Sequence, residues 1–185
     1  MKITDIKDGD TLLVRERNSW LSKMICKVMT KWGKHRGFPL EPMYSHAARF
    51  VWIEGKLYVF GSVDNGYQPW EFDKHYNWEY SDFAVMRRKE PLSEKERKQT
   101  IHYMLHLDTI SISYQYWNFI QWLLLVYLHI DTFGKDSQRF MYCYESEREC
   151  RKNLNPENYK DDVSKTDIFD LLYDPFYEVI YKSRQ

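Results

Sequence analysis

The hydrophobic positions of this chain change period several times, and each change marks an element. Residues 11–14 (TLLV) form a short apolar run that fits a buried strand, entered through an Asp8-Gly9 turn. From Trp20 to Trp32 the period becomes helical, with Leu21, Met24, Ile25, Val28 and Met29 on one face, Asn18-Ser19 as the cap, and Gly33 and Gly37 as the stop. A loop with two prolines covers 38–43. Residues 47–53 and 57–60 read as a hairpin about Glu54-Gly55-Lys56, and 61–69 as a loop. The stretch 70–80 is aromatic and acidic without a clear period, and 83–87 is a further strand.

Ser93, with Glu96 three residues on, has the spacing of a capping box and opens a helix to about Leu107. Residues 110–114 form a loop or extended segment, and 118–130 a second, strongly apolar helix. A polar loop over 132–138 leads to a short strand at 139–142 and a helix rich in helix formers over 145–152. Residues 153–162, with Pro156, form a loop. Ser164 to Asp167 cap a short helix at 168–173, and 176–181 alternate like a last strand. Strands and helices interspersed in this way predict an α+β fold, a small antiparallel sheet packed with helices. With 185 residues and no linker or repeat, one domain over 1–185 is expected.

Charge narrows the partners. There are 27 basic and 27 acidic residues, so the excess of cations that a sequence-independent nucleic-acid binder needs is missing, and no nucleic-acid partner is expected. The basic runs at 31–36 and 87–89 read as solvated faces balanced by acidic neighbours. The most apolar run, 117–130, is too short for an integral membrane segment. The start of the chain lacks a signal core. Cys143 and Cys150 would lie about 10 Å apart along a helix, beyond disulfide reach, and three is an odd number. A reducing, cytoplasmic setting is the expectation.

Two residues carry candidate chemistry. Cys143 stands where a strand gives way to a helix, and peptide dipoles at a first helical turn favour thiolate over thiol. His46 opens a strand that needs no polar residue there, and a thiol at a helix start would pair with such an imidazole as its general base. His102 and His106, four apart on one helix, have metal-holding spacing. They are followed by no zinc-protease glutamate and joined by no third ligand, so neither a metal nor a cofactor is expected.

The order of these features resembles the circularly permuted papain-like cysteine hydrolases of the NlpC type, in particular the YiiX/YebB-like branch. Gly9-Asp10 with TLLV resembles that family's opening "GD" and strand, and Tyr44-Ser45-His46 with AARFV its "SH" strand. LYVFGS, AVMRR and SEKERKQTIHYMLHL follow in the family's order. MYCYESE resembles its "yCSE" motif, and the segment from Lys165 to Ile168 its late motif. The resemblance implies a permuted papain-like, NlpC-type fold and a peptidase or amidase, a thiol protease acting on a peptide, amide or acyl substrate. Cys143 would be the nucleophile, His46 the base, and Tyr114 would border the oxyanion pocket. Gly61 stands where the family places a glutamate, so Ser62 or Asp64 would serve as third polar residue. Tyr144 replaces the motif's serine, and Tyr114-Gln115 a Tyr-Asp pair. The alternatives on the same fold are a non-catalytic binding or structural protein, or a lipid acyl hydrolase or acyltransferase.

Overall fold

A computed structural model describes residues 2–38, 44–63, 65–76, 79–110, 113–114, 116–133, 140–160 and 165–183. Six strands form one antiparallel sheet: β1 (Thr11–Glu16), β2 (His46–Ile53), β3 (Lys56–Val63), β4 (Gly66–Glu71), β5 (Ser81–Arg88) and β8 (Tyr177–Lys182). Their spatial order is β4-β3-β2-β1-β5-β8. A second, parallel pair joins β6 (Ser113–Tyr114) to β7 (Phe140–Met141). The helices are α1 (Trp20–His35), α2 (Phe72–His75), α3 (Glu94–Thr109), α4 (Tyr116–Leu123), α5 (Cys143–Leu154) and α6 (Ile168–Leu172). The small antiparallel sheet packed with helices is therefore present.

The caps are set by local chemistry. Ser19 Oγ accepts the Ser22 N–H at 3.2 Å to start α1. Ser93 and Glu96 exchange side-chain and backbone bonds at 3.2 and 2.9 Å, the reciprocal box that opens α3. Asp167 accepts the N–H groups of Phe169 and Asp170 at 2.7 and 3.1 Å, which fixes α6.

The loop expected over 61–69 is instead mostly strand. β3 continues to Val63 and β4 returns from Gly66, with Phe60 opposite Pro69. Proline is tolerated because β4 is a sheet edge, where an N–H can be missing without breaking a ladder. Gly33 does not stop α1. Any Cβ there would lie 2.1 Å from Phe169 Cζ, so the glycine lets α6 press its ring against the helix. After α4 the helix widens into a π-helical turn over Leu124–Leu128 and ends at His129, whose φ is 58°.

Strand alternation divides the core. Leu13, Ala47, Ala84 and Met86 face α1, α5 and α6, packing on Met29, Cys143 and Phe169. Leu12, Val14, Ala48, Phe50 and Val85 face the other way, toward Phe72 and Tyr76. Between β2 and α5 lies a buried ionic ladder. Arg49 grips Glu147 with Nε and Nη2 at 3.1 and 2.6 Å. Arg151 reaches Glu147 at 3.1 Å and Asp174 at 2.8 Å. Thr11 and Tyr159 hydroxyls donate to the two carboxylates. No helix among the described residues is long and apolar enough to cross a membrane.

Candidate functional site

Cys143 is the first residue of α5, as its neighbourhood in the sequence predicts, but its chemistry is the reverse of that expected. The side chain is 3% exposed. Its thiol donates weakly to the Ser45 carbonyl at 3.8 Å. Burial pushes its pKa up to about 12, against the opposing pull of the Ala47, Tyr144 and Cys143 N–H groups. Loss of water outweighs the helix-start dipoles, because in a dry site a charge loses more solvation than three backbone donors return.

His46 does not offset this. Burial, and then the nearby His75, lower its pKa to about 4, so the imidazole is neutral at pH 7. Its ring meets Trp70 edge-on at 6.4 Å. In the β1–β2 register His46 lies opposite Val14, on the face of Phe50 and Tyr76, whereas Ala47 turns to the face of Cys143. Burial and backbone donors set the thiol, whereas burial and His75 set the imidazole. The predicted nucleophile–base pair is not assembled.

The remaining candidates are also dispersed. A Cβ at Gly61 would stand 3.1 Å from Ala48 Cβ and 3.2 Å from the Ala47 carbonyl, so any side chain there would crowd the neighbouring strand β2. Ser62 is fully buried at the end of β3. Asp64 lies outside the described residues. Tyr114 pairs through its backbone with Met141, and its side chain is outside the described atoms.

What the fold does bring together is a cavity of about 270 Å³ at the end of the sheet, where β2 begins and β3 ends. Val14, Ser22, Ser45, His46, Ser62 and Tyr76 line its inner part, and Glu16 and Leu21 stand at its exposed rim. Ser22 and Ser45 hydroxyls bond each other at 2.6 Å. His46 Nε2, Ser62 Oγ and Tyr76 OH are sealed from solvent and have no hydrogen-bond partner among the described residues. Burial raises the Tyr76 phenol far above its ordinary range, so it too stays neutral. Trp70 stacks on His75 at 4.9 Å, and His75 meets Tyr76 edge-on at 4.7 Å, which fixes this wall.

Sequence reasoning misses His75 and Tyr76. Their segment has no period, and its only signal is the density of rings from Trp70 to Tyr76. The ladder is missed as well. Glu147 and Arg151 stand four apart, a readable pair, but Arg49 sits within the apolar AARFV and announces nothing.

No family model and no curated protein matches this chain. A solved structure does: the metalloprotein YiiX from Escherichia coli O157:H7, a DUF1105 protein, is 16% identical, with a TM-score of 0.51 over 81% of this chain and 67% of that chain. At that identity the likeness speaks for the fold alone. That relative is named as a metalloprotein. Together with the sealed thiol, this overturns the identification of the chain as an NlpC-type, papain-like cysteine peptidase or amidase. A metal is not provided for either: among the described residues no three of His, Cys, Asp and Glu stand close enough to share one, and His102 and His106 lie exposed on α3. The chain is thus similar in fold to a metalloprotein and lacks, over its described residues, a set of side chains to hold a metal.

Proposed function

We propose that the chain is a non-catalytic binding domain over residues 1–185, and that the cavity beside His46 takes a small, uncharged, hydrogen-bonding molecule. The observation that carries this reading is the set of three sealed polar atoms, His46 Nε2, Ser62 Oγ and Tyr76 OH, at the wall of one cavity. An unsatisfied buried polar group costs about 1–3 kcal/mol. Three of them weigh heavily against a total stability of about 5–15 kcal/mol. A bound molecule toward which these side chains turn completes their hydrogen bonds and offsets that cost. Neutral imidazole, phenol and hydroxyl groups both donate and accept, so they suit hydroxyls and amides. They supply no counter-charge, so a carboxylate would be desolvated without return, as would an ammonium placed beyond reach of Glu16 at the exposed rim. The apolar wall from Val14, Leu21 and Ile25 suits the carbon skeleton of such a ligand. The three buried, unbridged cysteines support a reducing, cytoplasmic setting.

Ligand-observed NMR tests this with matched neutral and charged fragments, polyols and amides against carboxylates and amines. Neutral fragments are expected to bind the wild type, to lose binding in His46→Leu and Tyr76→Phe, and to keep it in Cys143→Ala. Equal binding of charged fragments, or binding indifferent to both pocket variants, overturns the proposal.

A further inference from the structure

Helix α1 presents a face that the pocket does not explain. Lys23, Lys27, Lys31 and Lys34 recur at helical spacing and share one exposed side of the helix with Trp20, which is 70% exposed. The expectation that this basic run is balanced by acidic neighbours does not hold. No Asp or Glu occurs between Glu16 and Glu41, and none of the four lysines has an acidic partner among the described residues. The one arginine at the end of the helix, Arg36, is engaged by Asp167 and Asp170 at 2.6 and 3.0 Å.

Beside this stripe lies an exposed apolar surface. Trp117, Ile120, Leu128 and Ile130 are between 43% and 60% exposed along α4, the π-helical turn and the residues after it. The two surfaces are continuous: Lys31 Nζ sits 3.8 Å above the Tyr127 ring, and the His35 and His129 rings are 5.9 Å apart. Asp131, the nearby acid, is held by Lys165 at 2.6 Å.

We infer that the joint face of α1 and α4 is a docking surface for an anionic lipid membrane. The occupant follows from the pairing of the two parts. Unneutralised lysines in a row call for a surface of spread negative charge. Large apolar side chains, with Trp and Tyr among them, call for a partner that can also take hydrocarbon. A nucleic acid or an acidic peptide satisfies the first demand and leaves Ile120, Leu128 and Ile130 in water. A lipid headgroup layer satisfies both: the lysines meet phosphate and serine headgroups while the apolar side chains enter the acyl boundary. No helix need span the bilayer for this, and none of the described ones is long enough to do so.

The test is co-sedimentation with vesicles, of phosphatidylcholine alone and of phosphatidylcholine and phosphatidylserine in equal parts, at low and high salt. The full chain is expected to bind the serine-containing vesicles, with salt weakening the binding. Each lysine near an anionic surface contributes about fivefold in partitioning, so Lys23→Gln with Lys27→Gln is expected to weaken binding about 30-fold. Trp117→Ser with Leu128→Ser is expected to weaken it as well, and brominated lipid to quench tryptophan emission in the wild type. These are surface positions, and circular dichroism checks that the variants fold. Absence of binding to the serine-containing vesicles overturns the proposal. So does binding that ignores the lysine pair, or binding that ignores the Trp117 and Leu128 changes while single-stranded DNA or polyglutamate competes fully, which would mark a generic polyanion site.

Discussion

Two buried polar regions share strand β2, and they are built in opposite ways. Arg49 stands three positions after His46. At Arg49 the side chain grips Glu147 with two nitrogens, and Arg151 carries the chain of charges on to Asp174, with Thr11 and Tyr159 completing the carboxylates. At His46 the polar atoms of three residues are sealed with no hydrogen-bond partner among the described residues. The ladder's charges answer one another, although Arg49 Nη1 has no hydrogen-bond partner among the described residues, and they fix how α5 sits on the sheet. A wall of unanswered neutral groups is a cost to the fold unless something enters to answer it. The contrast separates a polar cluster that holds the structure from one that is available to a ligand.

The largest expected effect sharpens the ladder side. Glu147→Gln removes the carboxylate shared by Arg49 and Arg151 and leaves the buried Arg49 cation uncompensated. Arg151 keeps Asp174, so the loss falls on Arg49, and the change is expected to destabilise by about 3–5 kcal/mol, read as a lower urea midpoint. A change below 1 kcal/mol would show that the ladder is solvated in solution, and the comparison would fail.

Next comes the pH response of the pocket. His46 has its folded pKa near 4 and an ordinary value of 6.5. The unfolded chain therefore takes up its proton first. Its contribution to stability is complete above pH 6.5 and drains away as pH falls from 6.5 to 4, by at most about 3 kcal/mol. His46 is half-buried as a residue, and its remaining exposure reduces that figure. Subtracting the pH–stability curve of His46→Leu from that of the wild type should isolate this slope, and parallel curves would place the imidazole in water.

Smaller still, Tyr76→Phe deletes a hydroxyl that has no partner among the described residues. It is expected to leave stability unchanged or raise it by up to about 1 kcal/mol, while abolishing fragment binding. A clear loss of stability would mean that the phenol already has a partner. The smallest effect concerns the thiols. Burial holds Cys26 near 11 and Cys143 and Cys150 near 12. Ellman's reagent at pH 8 should find no fast thiol in the native protein and three after denaturation. A fast Cys143 would reopen its pairing with His46.

Much of the fold is legible from local pattern because its cues are local. Ser19, Ser93 with Glu96, and Asp167 act as caps within three residues of their own positions. β4 is hidden because Gly66 and Pro69 resemble loop residues, and only the edge position of that strand in the finished sheet excuses the proline. The site is less legible. Cys143 opens a helix as its sequence indicates, but whether a helix start yields a thiolate depends on water, and water is excluded by Leu13, Ala47 and Phe169 from distant parts of the chain. Likewise His46 and Tyr76 meet one cavity only because β2 and the turn after α2 converge at the end of the sheet.

The strand order also has a consequence for how the sheet is assembled in time. β2, β3 and β4 follow one another through tight turns, so their pairing closes short loops and can form early. β5 finds β8 only through contacts such as Val85 with Tyr181, across most of the helical sequence. Such late, long-range closure slows folding. Until it occurs, β5 presents an unpaired edge, with Ala84, Val85 and Met86 awaiting the last strand. During synthesis that edge is the place where a chaperone, or a second unfinished chain, would meet this protein first.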